Sequence, residues 1–313
     1  MTENLAKKPK PEWLKVRAPG GEAYLKIKEM MRERKLATVC EEARCPNIGE
    51  CWGGGTATIM VMGDTCTRGC KFCNVKTAKT PGALDPLEPF HVAKSLLDMK
   101  LDYVVITTVD RDDLADQGAA HFHQIVAQVK KVNPHLRIET LAGDFQGRED
   151  LLKILLDSNG IDVFAHNIET SERLTPAVRD RRATYRQSLR ILKAAKEIKP
   201  GIVTKSSIML GLGEAEEEVI QAMKDCFEAG VEIFTLGQYL QPSSWHLEVK
   251  EFVSPEQFKR YEDLGKEIGF KYVASGPLVR SSYRAGEFFI KAFLDERAPL
   301  GAVISNEEIQ QWT

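Results

Sequence analysis

"ATIMVMGDTCTRGCKFC" (57–73) joins two signals in one stretch. Its first part, 57–63, reads as a buried strand, apolar and ended by Gly63. Its second part spaces three thiols as Cys66-x3-Cys70-x2-Cys73. A strand that runs directly into a thiol-bearing loop puts reactive groups where parallel β/α folds keep them, at the carboxyl ends of the strands. The remainder of the chain decides whether such a fold is present.

Five further runs read as strands: "DYVVITT" (102–108), "RIETLAG" (137–143), "VFAHNIE" (163–169), "VTKSSIMLG" (203–211) and "IFTLGQYL" (233–240). Helical patterns lie between them near 88–99, 117–132, 148–158, 184–198 and 214–229. The last opens with Glu214, Glu216, Glu217 and Glu218, acids that suit the positive end of a helix. Six β-then-α units predict a parallel α/β sheet with helical crossovers. Rhythm alone fits either a doubly wound sheet or an incomplete barrel. No G-x-G-x-x-G follows the first strand, so the dinucleotide fingerprint is absent there.

Upstream, residues 1–55 lack strand rhythm and read as an appended segment. A helix is expected from about Glu22 to Lys35, with Leu25, Ile27, Met30 and Met31 as its apolar contacts. The chain has 313 residues, 43 Lys+Arg against 45 Asp+Glu, and a net charge of −2. That balance argues against nucleic acid as a partner. No run approaches the roughly 18 apolar residues of a membrane span. The start, "MTENLAKKPKPEWLKVR", has neither a signal-peptide core nor a good transit-peptide pattern, so a cytoplasmic location is expected. In a reducing cytosol, clustered cysteines serve metals or catalysis more often than disulfides, and a total of 7 is odd.

A second triplet, Cys40-x4-Cys45-x5-Cys51, precedes the first strand. Six of the 7 cysteines therefore fall in two groups of three. A closed zinc site takes four ligands, usually as two short pairs, and only Cys70/Cys73 has the shortest, Cys-x2-Cys, spacing. A cubane iron–sulfur cluster is saturated by four cysteines, so three leave one iron open to another ligand. Two triplets suggest two clusters, each with one iron free of cysteine.

Cys66-x3-Cys70-x-Phe72-Cys73 resembles the signature of the radical S-adenosylmethionine enzymes. The upstream triplet in "CEEARCPNIGECW" (40–52) resembles the second-cluster motif of one family among them, the lipoyl synthases. "RSSYRAGEFF" (280–289) is similar to that family's C-terminal Arg-Ser-Ser-Tyr element. The likeness runs from about residue 10 to about 295. It implies a partial (β/α)6 TIM-like barrel of the radical SAM type over 56–245. It also implies an N-terminal extension (1–55) bearing auxiliary-cluster cysteines and a C-terminal extension (246–313) with the RSSY element.

The resemblance further implies two [4Fe-4S] clusters. Cys66, Cys70 and Cys73 would hold the one that binds and cleaves S-adenosylmethionine, with Phe72 beside the cofactor. Cys40, Cys45 and Cys51 would hold the other, with Ser282 on its fourth iron and Ser281 the less favoured choice. A serine oxygen is a harder ligand than a thiolate and is more readily lost, which suits a cluster that gives up sulfur. The implied reaction inserts sulfur at C6 and C8 of a protein-bound octanoyl-lysine, using two S-adenosylmethionine molecules per lipoyl group. Unactivated C–H bonds have no acidity to exploit, so a cofactor-derived radical must open them. The implied partners are octanoylated lipoyl-carrier domains, of the 2-oxoacid dehydrogenase E2 or glycine cleavage H protein kind. A low-potential electron donor such as ferredoxin or flavodoxin is implied as well.

Weaker signals lie at other strand ends. Asn167 and Glu169 in "HNIET" (166–170) are candidates for the ribose or amino group of the cofactor, or are simply polar residues at a strand end. "IMLGLGE" (208–214) resembles an adenine-flanking strand, but a plain strand–turn–helix junction is the favoured reading. Asp110, Arg111, Asp112 and Asp113 either meet substrate or pair among themselves. Arg179, Arg181, Arg182 and Arg186 form either a patch that steers an acidic carrier or a solvated loop. Gly53, Gly54 and Gly55 allow close approach to a cluster, or a joint. Cys226 reads as a small buried residue, and His121, His123 and His246 have no ligand spacing. The alternatives are a two-cluster methylthiotransferase, which needs a larger upstream domain, and an electron-transfer protein, which needs four cysteines per cluster.

Overall fold

The computed structural model describes residues 9–16, 20–33, 37–42, 45, 47–53, 58–99 and 101–282. Seven parallel strands form its centre: β1 (Thr58–Val61), β2 (Tyr103–Thr108), β3 (Arg137–Leu141), β4 (Val163–Ala165), β5 (Val203–Leu210), β6 (Ile233–Gln238) and β7 (Tyr272–Gly276). They pair in chain order, and among the described residues β7 does not pair back to β1. The sheet is therefore a partial barrel, as expected. One two-residue strand, Ala37–Thr38, adds antiparallel to β1 from the segment read as strandless.

Six helices follow β1 to β6 in turn: α1 (Glu88–Met99), α2 (Ala119–Val132), α3 (Glu149–Leu156), α4 (Tyr185–Ile198), α5 (Glu216–Glu228) and α6 (Pro255–Ile268). The strand residues alternate in side, as a pleat requires. Ile59, Val104, Ile138, Phe164, Ile208 and Phe234 pack in the main core with helix residues such as Phe122, Leu152 and Leu192. Tyr103, Val105, Val163, Val203 and Ile233 form a second, smaller cluster on the opposite side, inside the barrel. With both faces covered, the strands are apolar in both registers.

The strand reading stopped one unit short. It missed α6 and β7, because "YVASG" carries a single β-branched residue and little apolar bulk. The N-terminal helix spans Glu22–Glu33 and buries Ile27 and Met31. Leu25, expected as a contact, is 60% exposed instead, because it falls on the outer side of that helix. Cys226 is buried in α5, as read.

A charged pair crosses the barrel interior. Lys205 Nζ lies 2.9 Å from both carboxylate oxygens of Glu139, and the Tyr103 hydroxyl donates to Glu139 Oε2 at 2.7 Å. All three side chains are buried. Removing one charge strands the other in a low-dielectric site, at a cost of about 3–5 kcal/mol. Glu139→Gln is therefore expected to lower unfolding stability by about that amount, whereas Glu139→Leu with Lys205→Met is expected to recover most of it. Urea denaturation of the three chains checks both.

Candidate active site

The loop that follows β1 is held from three sides. Thr67 N donates to Asp110 O at 2.9 Å, which ties the loop to the end of β2. Lys71 N donates to Val178 O and Gly69 N to Asp180 Oδ2, each at 2.9 Å, which ties it to the segment after β4. His246 bridges Ser243 Oγ (2.9 Å) and the carbonyl of Cys73 (3.0 Å), which ties it to the segment after β6. His246 thus helps to orient the loop. Phe72 packs against Val178, Leu212 and Tyr239.

The thiols in this loop are surrounded by amide donors. Cys66 Sγ accepts from Arg68 N at 3.4 Å and Asp110 N at 3.3 Å, and Cys70 Sγ accepts from Asp180 N at 3.3 Å. Such donors favour a thiolate. Burial opposes them more strongly, and pushes Cys66 and Cys70 up to about 12 and Cys73 up to about 11. The free thiols are thus protonated at neutral pH, and a metal must displace those protons as it binds.

The first triplet is folded by its own backbone. Cys45 N donates to Cys40 O at 3.0 Å, and Cys51 N to Asn47 O at 2.9 Å. Asn74, next to Cys73, donates from its side chain to Glu42 O at 2.6 Å and links the two triplets. All seven cysteines are free thiols.

Around the loops sits a network that the sequence did not reveal. Arg68 is only 3% exposed. It pairs with Asp112 and Asp144 at 2.8 Å each and with Asp110 at 3.5 Å. Burial would raise Asp112, but hydrogen bonds from Arg68, Gln146 and Thr67 outweigh it and hold the carboxyl low. At Asp110 burial prevails over Arg68, aided by Asp144 and Asp112, and the carboxyl is pushed up to about 6. Arg111 pairs with Asp113 at 2.7 Å. The aspartates after β2 therefore do pair among local arginines, and Asp110 also faces Cys66 Sγ at 3.8 Å.

The arginine patch divides. Arg179 is buried and donates to Ser188 Oγ at 2.8 Å. Arg182 pairs with Asp180 and Arg186 with Glu172. These two ion pairs offset half of the four positive charges in the run. Glu214 accepts from the amides of Gly211 and Leu212, so "IMLGLGE" contains the strand–turn–helix junction that was favoured. His121 contacts Glu88 and His123 the carbonyl of Ile154.

One cavity of about 570 Å³ collects the candidates. Its wall includes Cys40, Cys45, Cys51, Cys66, Cys70 and Cys73 together with Phe72, Asn167, Glu169, Ser281 and Ser282. The expected site residues are thus all brought together, at the carboxyl ends of the strands. Tyr283, the last residue of the RSSY element, and the rest of the run to 289 lie outside the described residues, as do Gly54 and Gly55.

The wall also carries strain and unmet polar atoms. Glu169 has φ +67°, a left-handed conformation that is costly for a side-chain-bearing residue. Asn167 donates to Glu169 Oε1 at 3.2 Å, and burial raises the Glu169 carboxyl. Asn167 Oδ1, Asp144 Oδ2 and Arg179 Nε are buried without partners among the described residues. Unmet donors and acceptors on one wall fit a polar ligand that would satisfy them. The donor set is six thiols, soft ligands suited to iron–sulfur clusters, and two harder serine hydroxyls. His166, Arg68, Asp144 and Gln238 also line the cavity and were missed. Their position at strand ends was the available signal.

The fold and the thiol loop define a radical S-adenosylmethionine enzyme, and the match to the Radical SAM superfamily spans residues 60–226. Solved structures share that fold at low identity. Methylornithine synthase superposes with a TM-score of 0.52 at 14% identity, covering 93% of either chain. SuiB of Streptococcus suis, bound to its precursor peptide, gives 0.53 at 12% identity, covering 69% of this chain and 48% of that one. Residues 2–45 match the N-terminal domain of lipoyl synthase. Mitochondrial lipoyl synthase of Aedes aegypti is 58% identical over 293 residues, covering 92% of this chain and 74% of the relative. That of Drosophila melanogaster is 58% identical over 292 residues, covering 92% and 77%. The chain belongs to the lipoyl synthase family, enzymes that insert sulfur in lipoate biosynthesis.

One expectation falls. These relatives are named mitochondrial, which overturns the cytoplasmic location read from the N-terminus. The physics of a folded catalytic domain does not encode its compartment, and an organelle address is a separate segment.

Proposed function

We propose that this chain converts a protein-bound octanoyl-lysine to a lipoyl group by inserting sulfur at C6 and C8, with its own first-triplet cluster as the sulfur source. The observation that carries this reading is the convergence of both cysteine triplets and both serines on one cavity at the strand ends. Cys66, Cys70 and Cys73 hold one [4Fe-4S] cluster, and Cys40, Cys45 and Cys51 hold the second with Ser282. When bound, the cluster on the second triplet supplies the electron that splits S-adenosylmethionine to a 5′-deoxyadenosyl radical.

The chain's own residues bind, orient and shield. Asn167 and Glu169 present a polar edge to the cofactor, beside Phe72. Arg179 lines the cavity, has a buried Nε without a partner among the described residues, and offers a charge to a carboxylate. The apolar wall, including Val109, Leu141 and Met209, suits an octanoyl arm and keeps water from a radical. The first-triplet cluster is a co-substrate, consumed as its sulfur leaves. Two molecules of S-adenosylmethionine serve each lipoyl group.

The acceptors are octanoylated carrier domains of the 2-oxoacid dehydrogenase E2 or glycine cleavage H protein kind. Electrons come from a low-potential donor of the ferredoxin or flavodoxin kind. A mitochondrial location is carried over from the relatives. The test is anaerobic incubation of the reconstituted protein with an octanoyl-lysyl peptide, S-adenosylmethionine and reductant, read by mass spectrometry. Two sulfurs gained on the peptide support the proposal, and a peptide of unchanged mass rejects it.

A further inference from the structure

The serines reach the cavity on a short run, Pro277–Ser282, that leaves β7 and crosses the end of the sheet. Its three central residues each meet a different part of the site. Leu278 O accepts from Asn47 Nδ2 at 2.7 Å, a contact between residues 231 apart in sequence. Val279 lies over Gly237 of β6. Arg280 lines the cavity with Cys45, and its Nη1 donates to Val279 O at 2.6 Å.

Gly237 is required by space. A Cβ there would stand 2.0 Å from Val279 O and 2.9 Å from the Val279 carbonyl carbon. The obstacle is backbone, so no rotamer change relieves it. The crossing run is itself a tight turn, with Val279 N donating to Gly276 O at 3.0 Å. Gly276 pairs with Gly237 across β7 and β6, so any side chain at 237 would push against this turn.

Asn47 acts from the opposite side. It is 3% exposed and lies between Cys45 and Cys51. Its backbone carbonyl accepts from Cys51 N at 2.9 Å while its side chain holds Leu278. One residue therefore fixes both a first-triplet cysteine and the run that carries the serines.

We propose that Gly237 and Asn47 form a latch that seats the run Pro277–Ser282 on the cavity and so sets the distance between the serines and the first cysteine triplet. Both are positioning residues. The latch rests on the reading that places Ser282 with Cys40, Cys45 and Cys51, and it explains how a site drawn from both ends of the chain is assembled. Its cost is specific: freeing the run leaves the strands intact and moves only the serines.

The experiment compares the full chain with Gly237→Ala and Asn47→Asp, the latter removing the amide donor at constant size. Hydrogen exchange is read before and after cluster reconstitution, and iron is counted after it. In both variants the Val279 amide is expected to exchange at least about tenfold faster than in the parent, while amides of β5 are unchanged. Iron is expected to fall from about eight to about seven per chain, as the iron that the serine would hold leaves a cluster kept on three thiols. Parent-like exchange and parent-like iron in a folded variant overturn the latch. Should Gly237→Ala fail to fold, as circular dichroism would show, Asn47→Asp alone decides. A parent chain that itself holds about four irons rejects the two-cluster reading instead, and the exchange comparison then still judges the latch.

Discussion

Cys70→Ala is expected to stop cleavage of S-adenosylmethionine, with 5′-deoxyadenosine formation falling by about a thousandfold or more. Cys70 sits at the centre of the loop that follows β1, its Sγ bonded to Asp180 N and its neighbours stitched to the ends of β2, β4 and β6. Three thiols are the minimum that holds a cubane with one iron left for the cofactor. Alanine at the middle position leaves two ligands and a water-filled gap, so neither the electron nor the cofactor is held in place. Chromatography of the nucleoside product measures the effect. Turnover within tenfold of the parent chain would show that Cys70 is not a ligand of the reacting cluster.

Cys45→Ala is expected to give the opposite partition: S-adenosylmethionine is still cleaved, but the octanoyl peptide gains no sulfur. Cys45 belongs to the segment joined to the second triplet through Asn74 and to the serine run through Asn47, and its backbone N donates to Cys40 O within the first triplet. On the proposed function, losing it removes a ligand of the donor cluster and spares the amide donors around Cys66 and Cys70. Product sulfur should drop below about one part in a thousand of the parent's, while nucleoside formation persists. If both variants lose cleavage alike, the two triplets do not divide the work.

Much of the fold was legible because its physics is local. Runs such as "DYVVITT" are β-branched and apolar on both sides, and amphipathic stretches such as Tyr185–Ile198 bury one face against the sheet. β7 was not legible: "YVASG" gains its place by pairing with β6 and packing Val273 into the core, a tertiary effect on a weak local signal. The thiols were legible from spacing alone, and Ser281 and Ser282 only through a family likeness. Arg68 was hidden because its worth comes from three aspartates in two other loops. Asn47 and Gly237 were hidden for the same reason, since the run they seat is distant in sequence from both. The sequence left the arginines after β4 open between a steering patch and a solvated loop, because burial and pairing depend on distant residues; in the structure Arg179 is buried, and Arg182 and Arg186 sit in local ion pairs.

The central claim is that the protein surrenders its own inorganic sulfur. The direct measurement is to reconstitute both clusters with heavy-isotope sulfide, remove free sulfide, and supply an octanoyl-lysyl peptide with S-adenosylmethionine and reductant. A lipoyl peptide carrying two heavy sulfurs, formed at no more than about one per chain, is the result expected of a consumed cluster. A lipoyl peptide with light sulfur, or heavy sulfur released equally from a Cys45→Ala chain, would contradict it.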